Sequence, residues 1–76
     1  MQCYLMKKAR AQELAVALGS LHPRLADTVD AELLRMFCMA RAEEDPSVRS
    51  EWLDSAPVAE IAAWIPIEDL PGLARA

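Results

Sequence analysis

Glycine, histidine and cysteine are all scarce in this chain, and each scarcity removes a class of protein. Two glycines, Gly19 and Gly72, leave no loop able to cradle a phosphate. They are also too few for the many tight turns of a β-sandwich. One histidine, His22, and two cysteines, Cys3 and Cys38, offer no paired spacing of the kind a zinc site needs. No metal or other cofactor is therefore expected. The longest apolar runs, such as Ile61–Ile65, reach only five residues, far below the roughly 18 required to span a bilayer. The lysines near the N-terminus follow the apolar residues there, and no stretch matches the apolar segment of a secretory signal. A cytoplasmic protein with both cysteines as free thiols is the expectation.

What remains is 76 residues, 54% of them apolar, with a formal net charge of −4. This length supports one domain, taken as 1–76, with residues 1–4 and 66–76 as loosely packed ends. Size scaling allows such a chain to bury roughly 60% of its unfolded surface. Fourteen of the apolar residues are alanine, so a thin core rests on relatively few large side chains. The charge is unevenly divided. Residues 1–25 set Lys7, Lys8, Arg10 and Arg24 against Glu13, a balance of +3. Residues 26–76 set eleven acids against Arg35, Arg41, Arg49 and Arg75, a balance of −7. An acidic body repels phosphate, which argues against general nucleic-acid binding.

The apolar periodicity is helical throughout, and the expected fold class is all-α: a bundle of about four short helices with an irregular tail. Ala11, Leu14, Ala15 and Leu18 recur at i, i+3, i+4, i+7 in a first helix over 5–18, with Gly19 at the cap position. A second helix over 23–44 carries Leu25, Val29, Leu33, Met36, Phe37 and Ala40 on one stripe, widened by Ala31, Leu34 and Cys38. Its start is open between a cap at Ser20 or His22 with Pro23 in the first turn, and a cap at Asp27. Asp45-Pro46 reads as the opening of a third helix over 46–55, with Val48, Trp52 and Leu53 inward. Val58, Ile61, Ala62 and Ile65 mark a fourth over 57–65. Pro71 and Gly72 restrict the tail to one helical turn at most.

Catalytic constellations are weak. Cys38 and His22 are the only thiol–imidazole pair, and Cys38 sits between Phe37 and Met39 on an apolar face where a thiol is unreactive. Glu68 and Asp69 are adjacent carboxylates in a proline-bounded tail without a cleft. Glu43, Glu44 and Asp45 lack the alternation and central glycine of a calcium loop. A helix-turn-helix would need cations on its second helix, and the C-terminal helices carry Glu51, Asp54 and Glu60 instead. An enzyme is not expected.

These features favour a non-enzymatic interaction module, a small acidic regulator, inhibitor or adaptor docking on a larger protein with a basic surface. Small phage-encoded inhibitors of nucleic-acid machinery share this size and acidity, although no motif links them to the chain. The candidate partner-binding residues are the acids Glu43, Glu44, Asp45, Glu51 and Asp54 and the anchors Met36, Met39, Trp52 and Trp64. The breadth of the second helix's apolar face also raises a homodimer. A structural subunit assembled by apolar burial and a small DNA-binding regulator are the alternatives.

Overall fold

In the computed structural model, which describes residues 4–25 and 27–75, the regular secondary structure is helical, with one isolated antiparallel bridge between Val29 and Ala74. Cys3, expected as an idle thiol, lies outside the described residues. The first helix, α1, spans Lys8–Leu21 and buries Ala11, Leu14 and Leu18, the spacing read from the sequence. It begins three residues later than expected because tertiary hydrogen bonds claim the backbone of the preceding arm. The Met6 N–H points at Met39 Sδ (3.4 Å), its carbonyl accepts from Arg35 Nε (2.6 Å), and the Lys7 N–H donates to Asp54 Oδ1 (3.2 Å). Gly19 does not end the helix and has no positive φ. Pro23 ends it instead, by excluding His22 from the α region (φ −129°, ψ 82°).

The second helix is shorter than expected. Pro23–Leu25 is a separate 3₁₀ turn, and Asp27 adopts φ +64°, a left-handed conformation that an aspartate tolerates but a helix does not. Helix α2 therefore spans Ala31–Glu44, capped by Asp30, whose Oδ1 accepts from the N–H groups of Glu32 (2.9 Å) and Leu33 (3.2 Å). The cap is neither of the two options read from the sequence. Leu25 and Val29 consequently leave the helix.

Only part of the broad apolar face read for this helix is buried. Leu34, Cys38 and Ala42, at i, i+4 and i+8, face the core, while Leu33 and Met36 remain 42% and 55% exposed. Two adjacent apolar columns run along α2, and α1 covers one of them.

Beyond Pro46 the expected third helix contracts to a single turn, α3, at Trp52–Ser55. Asp45 Oδ1 takes both the N–H and the hydroxyl of Ser47 (2.9 and 2.6 Å), so the side chain diverts the backbone into a turn. Arg49 to Glu51 then accept the N–H groups of Trp52, Leu53 and Asp54 in tight i to i+3 turns. Helix α4, Val58–Trp64, falls where it was read and buries Ile61 and Ala62. The tail forms a 3₁₀ segment, Ile67–Leu73, longer than the single turn expected. It buries Leu70 and Leu73, then pairs with the α1–α2 connection through Asp30 N–H to Leu73 O (2.8 Å) and Arg75 N–H to Thr28 O.

The core thus joins Met6, Leu14 and Leu18 to Leu34, Cys38, Leu53 and Ile61. Leu34→Ala should cost about 2–5 kcal/mol of unfolding free energy, as a fully buried leucine does. Leu33→Ala, one residue away, should cost less than about 1 kcal/mol. Urea denaturation of both variants checks which column of α2 is core, since equal losses would contradict this packing.

Candidate interaction surface

The solvent face of α2 follows from its register. At 100° per residue, Leu33, Met36 and Ala40 fall within roughly 60° of arc, and all three are exposed. Glu32 and Glu43 flank this strip on one side and Glu44 on the other, also exposed. The result is an apolar ridge with an acidic border. Of the residues expected to bind a partner, Met36, Glu43 and Glu44 lie on this ridge. Leu33, Glu32 and Ala40 complete it. Leu33 and Ala40 belong with Met36 to the apolar stripe read from the sequence, and the glutamates bracketing Met36 were the signal that this column faces water.

The other candidates hold the fold together. Trp52 and Trp64 are half-buried and meet edge to face, with ring centroids 5.3 Å apart and planes at 80°. The Arg41 guanidinium lies over Trp64, 4.8 Å from its ring centroid, a cation–π contact that occupies a cation internally. The Trp64 indole N–H donates to Asp45 Oδ2 (3.0 Å). Asp45 thus anchors α4 to the end of α2. Asp54, half-buried on α3, accepts from the Tyr4 hydroxyl and the Lys7 N–H and fastens the N-terminal arm. That bond, first among its causes, pushes the Tyr4 phenol pKa up. Met39 is half-buried against the core, its sulfur turned to Met6. Glu51 stays exposed at the start of α3. The structure therefore separates the nine candidates into three on the α2 ridge, five in internal contacts and Glu51 apart. The local sequence carries no signal for these tertiary contacts, because the partners lie 12 to 50 residues away.

Arginine is turned inward more than acid is. Arg10 Nε donates to Leu53 O (2.9 Å), so Lys7, Lys8 and Arg10 do not form a free basic cluster. Arg35 bonds Met6 O and pairs with Glu32 at 3.3 Å. Glu43, Glu44, Glu51, Glu60 and Glu68 stay exposed.

The chemistry available elsewhere is limited. Cys38 is free and fully buried, and burial pushes its thiol up to about 12, with Arg41 opposing weakly. Among the described residues no group of three or more histidines, cysteines, aspartates or glutamates is placed to hold a metal ion. No helix among them is long and apolar enough to cross a membrane. A concavity of about 660 Å3 opens between α1 and residues 27–31. Its charged lining residues are Asp27 and Arg75, and neither histidine nor cysteine borders it.

Two expectations follow. Asp45 is held down to about 2 by the Ser47 hydroxyl first, then the Trp64 indole and the Ser47 N–H. Its folded pKa lies below the unfolded value near 4, so its stabilising contribution is present above about pH 4 and fades as pH falls toward 2. Acid titration followed by tryptophan fluorescence should show a smaller loss of stability over that window for Asp45→Asn than for the native chain. Separately, a Cys3→Ser variant should leave Cys38 unreactive toward a disulfide thiol reagent at pH 8 until denaturant is added. Fast labelling of the folded variant would contradict the burial of Cys38. No protein-family model, curated protein or solved structure matches this chain.

Proposed function

We propose that the protein is a non-catalytic interaction module, a small cytoplasmic regulator, inhibitor or adaptor that docks on a larger protein through the solvent face of α2. The observation that carries this reading is the exposed Leu33–Met36–Ala40 ridge bordered by Glu32, Glu43 and Glu44. An apolar centre with a charged rim is the composition of a docking patch, the centre supplying affinity and the rim the choice of partner. Methionine suits such a site because its unbranched, polarisable chain adapts to an irregular groove.

The sign of the rim selects the partner. With an overall charge of −4 and three glutamates around the ridge, a complementary surface is apolar with a basic border. A partner that handles nucleic acid carries such a border, and occupying it would exclude phosphate. A second copy apposing the same face would set glutamates against glutamates, which costs free energy rather than releasing it. Assembly driven only by apolar burial is the alternative, and it differs in being insensitive to salt.

Affinity capture from the native host tests the proposal with three baits: the native chain, Met36→Glu, and a Glu43→Lys/Glu44→Lys variant. A protein retained by the native chain at low ionic strength should be lost with both variants and weakened by added salt. Circular dichroism should show the fold retained. The same retention with all three baits would overturn docking through α2. A dimer in light scattering that dissociates in Met36→Glu would identify a second copy as the occupant instead.

A further inference from the structure

We infer that the docking surface is composite: Leu5, on the N-terminal arm, sits at the edge of the α2 ridge and joins Leu33 and Met36 in receiving one amphipathic basic helix of a partner. The inference rests on the docking reading above and adds a second element to it. Residues 4–7 precede α1 without helical structure, and Lys7 is extended (φ −66°, ψ 139°). Successive side chains on an extended segment point to opposite sides. Met6 is fully buried, and Leu5 is 69% exposed. The backbone of Met6 is held on α2 at two points, Arg35 Nε on its carbonyl (2.6 Å) and Met39 Sδ facing its N–H (3.4 Å). Arg35 and Met39 are one turn apart on α2, and Met36 lies between them in height along the axis. Leu5 therefore emerges at the level of Met36, beside the ridge.

The arm's other fastening is on α3, where Asp54 accepts from the Tyr4 hydroxyl and from the Lys7 N–H (3.2 Å). Asp54 is thus a positioning residue for Leu5 rather than a contact for the partner. The charges on the surface set the class of occupant. Glu32 and Glu43 lie on the side of the ridge nearer the arm and Glu44 on the other side. Cations gather at the Glu32 end, where Arg35 is paired with Glu32, Lys8 and Arg75 line the same concavity, and Lys7 is exposed nearby. The acidic character of the surface therefore comes from Glu43 and Glu44 at the other end of the ridge. A helix with a leucine stripe between lysine or arginine flanks matches an apolar surface of two strips with glutamates among them.

The probe is a synthetic leucine–lysine amphipathic helix, with a peptide of the same composition but scrambled apolar spacing as control. Titrated into the full 15N-labelled chain, the probe should shift the amides of Leu5, Leu33, Met36 and Glu43, and the scrambled peptide should bind far more weakly. Leu5→Ala and Met36→Ala should each weaken binding about fivefold, the effect of losing roughly one methylene's worth of buried apolar surface. Val16→Ala, exposed on α1, should leave binding unchanged. Asp54→Asn should also weaken it and move the Leu5 amide, and Tyr4→Phe serves if that variant fails to fold. Weakening by Met36→Ala alone, with Leu5→Ala and the arm variants binding as the native chain does, would overturn the composite surface and leave docking through α2 standing. Unchanged binding for Met36→Ala, or shifts confined to another face, would overturn both.

Discussion

A core wide enough to cover only one of two apolar columns on α2 governs the rest of this structure. Leu34, Cys38 and Ala42 pack inward and exclude water almost completely. Helix α1, which also packs on α4, contributes Leu14 and Leu18 to that core. Among the described residues, no element covers Leu33, Met36 and Ala40. The acidic residues around them give that ridge a sign.

Long-range side-chain hydrogen bonds do what helix packing alone does not. Asp45 and Asp54 each gather two segments: one ties α4 to the end of α2, the other ties the N-terminal arm to α3. Arg10 and Arg35 work the same way from the cationic side, donating to the carbonyls of Leu53 and Met6. Each bond is modest in net free energy, about 1 kcal/mol and more where a charge is involved. Together they fix short segments such as α3, which has one turn and no stability of its own. The inward use of these arginines also leaves the outer surface more acidic than an even distribution of eight cations would make it.

The interaction reading and the fold are linked through this economy of charge. Acids that hold the fold together are half-buried and lie close to their donors, as Asp45 and Asp54 do. Acids that border the ridge have no such partner requirement and stay exposed, apart from the single pair of Glu32 with Arg35. A residue type alone therefore does not distinguish a structural carboxylate from one available to a partner. The difference is made by what lies within three ångströms of it.

The sequence by itself determined the all-α class, the inward positions of α1 and α4, and the absence of an apolar stretch long enough for a membrane helix. These follow from local periodicity and composition, which survive any arrangement of the helices. The burial of Cys38 was legible for the same reason, since its neighbours Phe37 and Met39 mark an apolar segment. The start of α2 was not legible, because Ser20, His22 and Asp27 also read as caps in that stretch and only the left-handed turn at Asp27 selects Asp30. Nor was the contraction of the third helix, decided by Asp45 bonding Ser47 in preference to continuing the helical backbone. The tertiary structure alone decided which apolar column of α2 is buried and which acids are engaged. Periodicity finds apolar faces, but the neighbour that covers one of them is brought there by residues distant in the chain.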